Sequence, residues 1–576
     1  MESMSTVIVE QNVPARMRDG VTLNADVYRP AAPGRYPVLL TRLPYGKDLM
    51  LANLFPVLHF LRAVRAGYVV IAQDCRGTFA SEGQFDSCFH EGQDGYDAIE
   101  WAAALPYASG AVGMFGPSYL GWTQWSAAGL LPPHLKAIAP MQTWSDYSGM
   151  RFRGGAFELG DTLQWLSRMS MARLARELAG QGKPAPEIAQ TVRTIVRFLD
   201  SLTEDGYRAM PLRHLSALEP VGLASIIGGL LGRAPGRQQP GFRIDYTQVE
   251  VPSLNISGWY DVFQQYALDN FVGARTQGRG AARQAHLLVG PWTHGMVMAA
   301  PGMMVGEVNF GTAASGATLD LKGDLTDIHL RWFDRWLKGA DNGVDLEPAV
   351  RLFVTGENRW AEMTDWPPKE ATDRRLYLRA DSKLAFAAPR ARGGSTSFTY
   401  DPADPAPTLG GNIVLARPGV RDQRPLSERP DVLSFVGGPL DKPLAVMGRI
   451  IADLFVSSSA PDTDFVARLI DVHPDGYMRN LCDGILRARY RNSLEEPEWL
   501  TPGEVYRLKV DMWSIAHVFG VGHRLAVQVT GSSFPRWDRN WNSKDEPGAG
   551  TGGPPARQTV WHDAGHPSAV VLPVTK

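Results

Sequence analysis

The segment Ala111-Val112-Gly113-Met114-Phe115-Gly116-Pro117-Ser118-Tyr119-Leu120-Gly121 constrains this chain more than any other. An apolar run that reads as a buried strand stops at Gly116, a serine follows two places later, and a helical pattern covers residues 120–128. Strand, glycine, serine and helix in that order are the sequence form of a nucleophile elbow. The tight turn lifts the hydroxyl above a parallel sheet and aims the next backbone N–H at the same point. The usual second glycine, two places after the serine, is Leu120, with Gly121 one place later. A buried turn serine gives the same short pattern, so the elbow requires a base and an orienting carboxylate further along.

Two later segments supply them in the order serine, acid, histidine. Leu254-Asn255-Ile256-Ser257-Gly258-Trp259-Tyr260-Asp261 is an apolar strand ending in an aspartate, and Leu287-Leu288-Val289-Gly290-Pro291-Trp292-Thr293-His294 is another ending in a histidine. Both set a functional side chain just past a strand end, where open α/β sheets bind ligands. Each has a plainer reading. Asp261 could cap a helix over 263–271, and His294 could be a surface residue. Order and strand-end position together favour a Ser118–His294–Asp261 triad.

Around these motifs the pattern alternates. Residues 16–29 read as two strands about an Asp19-Gly20 turn. Short apolar strands follow at 37–43, 68–73, 112–115, 137–141, 253–257 and 286–289, with helices at 58–66 and 95–105. Such alternation implies a mostly parallel sheet covered on both faces. From 151 to 239 the pattern is helical, with Ile188, Val192, Ile195, Val196 and Leu199 on one face, and reads as a cap inserted into the sheet domain. A helix at 324–339 closes that domain, crowded on one side by Leu325, Ile328, Trp332, Phe333, Trp336 and Leu337. Beyond Pro348 strand-like stretches at 375–379, 465–472, 505–512 and 524–530 alternate with Pro- and Gly-rich turns, the texture of an antiparallel sandwich or barrel. The expected organisation is an α/β catalytic domain over 1–150 and 240–347, a cap over 151–239 and a β domain over 348–576. A chain of 576 residues is too long for one hydrophobic core.

Charge and cysteine content narrow the function. A formal net charge of -2 gives no reason to expect nucleic acid or an anionic membrane as partner. Residues 1–11 lack the regions of a secretory signal, and the longest apolar run, 221–231, is too short to span a bilayer. Three unspaced cysteines, Cys75, Cys88 and Cys482, imply reduced thiols and a cytoplasmic protein. His517 and His523, or His562 and His566, lack a companion Cys or carboxylate pattern and read as structural, so no metal or cofactor is expected. Asp94, Asp97 and Glu100 fall near a helix start, where acids favour the dipole. Asp74-Cys75-Arg76-Gly77 reads as a loop brace built on an Arg–carboxylate pair.

Taken together, the motifs resemble the cocaine-esterase-like (CocE/NonD) hydrolases of the X-Pro dipeptidyl-peptidase (S15) superfamily. The resemblance is carried by Gly116 to Gly121, Gly258 to Asp261, Gly290 to His294, Gln73-Asp74-Cys75-Arg76-Gly77 with Ser81-Glu82-Gly83, and Ser532-Ser533-Phe534-Pro535-Arg536 through Asn540. It implies an α/β-hydrolase domain with a helical cap and a C-terminal jelly-roll-like β-sandwich. It further implies Ser118 as nucleophile, His294 as base and Asp261 as its partner. The shifted Gly121 is the family's own form of the elbow. Tyr45, in Leu43-Pro44-Tyr45-Gly46-Lys47, takes the family's position for a phenol completing an oxyanion hole with the N–H of Tyr119. On its own, Tyr45 would read as a packing residue.

The reaction class implied is acyl transfer to water, on a small-molecule ester or amide. Relatives acting on free α-amino groups need carboxylates near the serine, and Asp261 is followed by Val262, Phe263, Gln264 and Gln265, with no acid until Asp269. Phe263 and Trp165 are candidate aromatic walls for an acyl group, although Trp165 could equally be cap core. The expectation is a carboxylesterase for bulky aromatic or hydrophobic esters. The alternative is a dipeptidyl-peptidase or an amide or β-lactam acylase, with the acid supplied by the cap, for example Glu158 or Asp161. The oligomeric state is left open, a homodimer included.

Overall fold

Ten strands make the first sheet, in the spatial order Val7–Arg16, Thr22–Pro30, Val69–Asp74, Tyr36–Leu43, Ala108–Pro117, Leu135–Met141, Leu254–Tyr260, His286–Thr293, Val350–Val354 and Arg359–Met363. The computed structural model describes residues 6–48, 57–202, 205–237, 243–298, 302–415 and 417–575. Residues 1–5 and the expected cap boundary at 239/240 lie outside them. Pairing is parallel from Val69–Asp74 through Val350–Val354 and antiparallel at both edges. Every residue of Val69–Asp74 and of Leu254–Tyr260 is buried, because helices cover both faces. That is why these strands read as continuous apolar runs rather than alternating ones.

Two strands just beyond the expected domain edge at 347/348 pair into the first sheet. Val350–Val354 pairs in parallel with His286–Thr293, and Arg359–Met363 pairs with it in turn, so both belong to the first sheet. A strand hairpin looks the same in sequence whichever sheet it joins. The preceding helix, Leu325–Lys338, has Asp324 and Asp327 in a reciprocal capping box and ends at Gly339. It buries Leu325, Trp332 and Phe333 against the sheet, while Ile328, Trp336 and Leu337 are half-buried.

Between Leu135–Met141 and Leu254–Tyr260 stands a helical layer whose long members are Leu159–Gly180, Ala185–Ser201 and Leu223–Leu231. Its own core joins Leu159, Leu163, Ile195, Phe198, Leu218 and Ile227. The expected stripe on Ala185–Ser201 needs one correction. Val196 is exposed and Phe198 takes its place beside Ile195, since a 3.6-residue repeat carries position 198, not 196, to the buried side. The apolar run at 221–231 contains the helix Leu223–Leu231, which buries Leu223, Ala224, Ile227 and Leu231, and no helix among the described residues is long and apolar enough to cross a membrane.

The C-terminal part is a β-sandwich with its own core, built on the long strand Leu444–Ser458. That strand pairs antiparallel with Tyr506–Phe519, Ala556–Trp561 and Ala569–Thr575, with a register break near Arg449. The segment around Arg536 ties this domain to the cap. Asp538 accepts a hydrogen bond from Phe157 N at 2.7 Å, and Arg487 sits between Asp538 and Asp464 at 2.9 Å from each. The acids on helix Glu91–Ala103 are paired rather than merely dipole-facing: Asp94 with Arg76 at 2.6 Å, Asp97 with Arg18 at 2.7 Å and Glu100 with His134 at 2.7 Å.

Candidate active site

Ser118 stands between strand Ala108–Pro117 and helix Tyr119–Ala128 with φ 58° and ψ −123°, a strained conformation for a serine. Its neighbours enforce the turn. Ser118 N–H donates to Met141 O at 2.8 Å, while Ser118 O accepts from Gly121 N at 2.9 Å and Thr143 Oγ1 at 2.7 Å. Gly116 has φ +130°, and a Cβ there would lie 2.7 Å from that of Leu120. At Gly121 a Cβ would meet Thr143 Cβ at 2.6 Å. The second glycine is needed one place late because Gly121, not buried Leu120, is the residue pressed against Thr143.

Asp261 and His294 arrive side by side. Tyr260 and Thr293 are register partners on adjacent parallel strands, so the next residue of each leaves the sheet at the same level. His294 Nδ1 lies 2.7 Å from Asp261 Oδ2, and its Nε2 lies 3.1 Å from Ser118 Oγ. Asp261 is fully buried, and its Oδ1 accepts Phe263 N–H at 2.7 Å. The plainer reading of Asp261 as a helix-start residue is therefore met by the same carboxylate through its other oxygen. Burial opposes a charged imidazole, but Asp261 outweighs it and carries His294 above the ordinary histidine value of 6.5.

Two supports for this chain have no sequence signal. Gln142 donates to Thr293 O at 2.9 Å and accepts Gly295 N–H at 2.9 Å, gripping the loop on both sides of His294. Asn412, from beyond the first sheet, donates to the backbone oxygens of Trp259 and Asp261 at 2.9 Å each. Neither belongs to a recognisable motif, and Asn412 is separated from Asp261 by 151 residues.

Tyr45 reaches the serine from the end of strand Tyr36–Leu43. Its phenol oxygen accepts from Trp165 Nε1 at 3.2 Å, and Tyr45 lines the same cavity as Ser118. Burial pushes the phenol up to about 12, so at neutral pH it keeps the proton it would donate. Asp74 secures this turn by accepting Lys47 N–H at 2.7 Å, while Arg76 braces the loops through Asp94 and Asp19 as expected. Burial raises the Cys75 thiol well above its ordinary value, leaving it no nucleophilic role. Tyr119 presents its N–H at the first turn of a helix, where it has no intrahelical partner. Its phenol is buried, donating to Glu91 Oε1 at 3.0 Å.

Ser118 and His294 open on a cavity of about 210 Å³ walled by Trp144, Trp165, Phe263 and Val262, with Val414 at its edge. Trp165 both packs in the cap and faces this cavity, its ring stacked on Tyr119 at 6.2 Å between centroids. Phe263 lies against Trp144 at 4.7 Å and the His294 ring at 5.2 Å. Glu158 and Asp161 line the same cavity. Glu158 Oε1 accepts from Trp537 Nε1 at 2.8 Å, but Glu158 Oε2 and Asp161 Oδ2 are buried without hydrogen bonds. Burial pushes Glu158 up to about 7 against the pull of Arg536, and it raises Asp161 as well. A larger groove of about 440 Å³ near helix Leu325–Lys338 is lined by Asp324, Asp327, Arg331 and Glu347 and includes neither Ser118 nor His294.

A serine hydroxyl, an imidazole and a buried carboxylate linked in that order at the ends of parallel strands define a serine hydrolase on the α/β-hydrolase fold. Residues 19–296 match the family model for X-Pro dipeptidyl-peptidase (S15 family), and residues 342–571 match its C-terminal non-catalytic domain. The cocaine esterase of Rhodococcus sp. (strain MB1 Bresler) is 36% identical over 598 residues, covering 99% of both chains. An aminopeptidase from a marine sediment Thaumarchaeota archaeon superposes with a TM-score of 0.82 at 26% identity, covering 100% of this chain and 97% of that one. An α-amino acid ester hydrolase gives a TM-score of 0.72 at 26% identity with the same coverage. The chain belongs to the cocaine-esterase-like hydrolases of the S15 family.

Proposed function

We propose that the protein is a serine carboxylesterase acting on bulky, aromatic or hydrophobic acyl esters through an acyl-enzyme. The observation that carries this reading is the Ser118–His294–Asp261 chain opening on a cavity with aromatic walls. Ser118 Oγ attacks the ester carbonyl as His294 Nε2 takes its proton. The C–O bond then breaks as His294 returns that proton to the departing alcohol, and water repeats the sequence on the acyl-serine. Asp261 holds Nδ1–H throughout and stabilises the imidazolium. Charge on the carbonyl oxygen is met by Tyr119 N–H and the Tyr45 phenol. A cytoplasmic setting is part of this reading, supported by three buried, unbridged cysteines.

Tyr45→Phe removes one of those donors and, with it, the acceptor of Trp165 Nε1–H. The expected loss is about 10²–10³ in kcat with little change in KM, because the hydrogen bond strengthens only as charge develops. Steady-state kinetics on a p-nitrophenyl ester check it, and an unchanged kcat would return Tyr45 to packing. The pH profile is a second check. His294 accepts a proton only when neutral, and Asp261 holds it above 6.5, so kcat/KM should fall as pH drops through a midpoint above that value.

A second reading, hydrolysis of X-Pro peptides or amides with a free α-amino group, is favoured by Glu158 and Asp161. A desolvated ammonium requires a carboxylate partner, and these two offer oxygens without hydrogen bonds in the cavity. The archaeal structural relative is named an aminopeptidase. Comparing neutral benzoyl and p-nitrophenyl esters with X-Pro anilides, in the wild type and in Glu158→Gln, separates the two. The esterase reading expects kcat/KM for esters at least about tenfold higher, roughly 1.4 kcal/mol of transition-state preference, and retained in Glu158→Gln. Anilides turned over faster than esters, and lost selectively in that variant, would establish the second reading instead.

A further inference from the structure

A group of side chains in the β-sandwich takes no part in acyl transfer. Strand Asp464–Val472 carries Asp471 near its end, and the chain turns back through His473, whose N–H donates to Tyr477 O at 2.9 Å. Asp471 is the register partner of Leu525 on strand Arg524–Thr530, which brings in His523 from just before that strand. His517 comes from strand Tyr506–Phe519. Three imidazoles thus converge on one buried carboxylate. His523 Nδ1 lies 2.8 and 3.0 Å from the two Asp471 oxygens, His517 Nε2 3.2 Å from Oδ2, and His473 Nε2 3.5 Å from the same oxygen.

Three features set the group apart from an ordinary ion pair. The donor atoms of Asp471, His473 and His523 all lie within 4.8 Å of one another. An ion bound at ~2.0–2.1 Å in a tetrahedral shell needs its donors ~3.3 Å apart, so the His523–Asp471 contact would open slightly from 2.8–3.0 Å, while His473–Asp471 at 3.5 Å is already near that spacing. His473 Nε2 is shielded from solvent and makes no hydrogen bond, although its ring is half-buried beside the His523 ring at 4.5 Å between centroids. Finally, His517 is locked from behind by Thr355 Oγ1, 2.8 Å from Nδ1, so its Nε2 is left to orient the Asp471 carboxylate. A hydrogen-bonded outer partner of this kind is what aligns a metal-binding carboxylate.

We propose that Asp471, His473 and His523 form a site for a divalent metal ion of the zinc type, with His517 as the outer hydrogen-bond partner of Asp471. Two imidazoles and one carboxylate suit Zn²⁺, Co²⁺ or Ni²⁺ and do not suit Mg²⁺ or Ca²⁺, which take oxygen ligands. The half-buried His473 and His523 leave room for water at the remaining positions. The site adjoins the contact between domains, where Thr355, just past strand Val350–Val354, exchanges backbone hydrogen bonds with Ala516 at 3.0 Å and Val518 at 2.9 Å. An ion there would fasten the His473 turn beside this junction. The spacing of His517 and His523 alone pointed to a structural role; the carboxylate they share lies 46 and 52 residues earlier in the chain.

The test uses the full chain without an affinity tag, stripped by a chelator and titrated with Zn²⁺ against a chromophoric competitor. One equivalent should bind with Kd at or below about 1 μM, with Mg²⁺ failing to compete. His473→Ala and His523→Ala should each weaken binding by at least about tenfold. They should also abolish the visible bands of the Co²⁺-loaded chain. Ser118-dependent ester turnover reports that each variant is folded and should be unchanged. Absence of stoichiometric Zn²⁺ binding by the wild type, or equal affinity in both folded variants, would overturn the assignment.

Discussion

Ser118→Ala should lower ester turnover by about 10⁶ in kcat while leaving the chain folded. The fold survives because the hydrogen bonds that hold residue 118 run from its backbone N–H and carbonyl, to Met141, Gly121 and Thr143, and alanine keeps all of them. Alanine also retains the Cβ, so the cost of φ 58° is essentially the cost already present. Turnover is lost because no other nucleophile can replace the serine. Cys75 and Cys88 are buried, and burial raises both thiols, Cys88 to about 12. Steady-state kinetics, thermal unfolding and labelling with a fluorophosphonate check the three parts separately. Turnover near the wild-type level would move the nucleophile elsewhere.

Asp261→Asn should cost about 10⁴ in kcat, for a reason visible in the geometry. One carboxylate oxygen accepts the Phe263 N–H at 2.7 Å, and the other faces His294 Nδ1 at 2.7 Å. An asparagine must keep its oxygen on Phe263 N–H, which turns its NH₂ group toward His294. The imidazole then accepts at Nδ1 and carries its proton on Nε2, the tautomer that cannot take the Ser118 proton. Loss of the negative charge also removes what holds His294 above 6.5, so any residual activity should persist to lower pH than in the wild type. Wild-type kcat, or an acid limb that does not move, would remove Asp261 from the triad.

The order of the three chemical residues and their strand-end positions were legible in the sequence, because each follows a buried apolar strand whose termination is a local property. The α/β alternation, the capped helix after Asp324 and the separate β domain were legible for the same reason: periodicity and turn residues act over a few positions. Other features depend on contacts between distant segments. The placement of the Val350–Val354 and Arg359–Met363 hairpin in the first sheet is decided by pairing with His286–Thr293, not by its composition. Gln142 meets the loop around His294 because the strand it follows, Leu135–Met141, lies in the same sheet as His286–Thr293. Asn412 reaches Asp261, and Glu158 and Asp161 line the cavity, because the segment around Asn412 and the cap fold over that sheet. The Asp471 cluster joins residues from separate strands and turns. Local pattern determines which residues stand at the end of a strand. Which strands lie side by side, and which distant side chains meet the ones at their ends, is set by burial of apolar surface over the whole chain, and only the tertiary structure decides it.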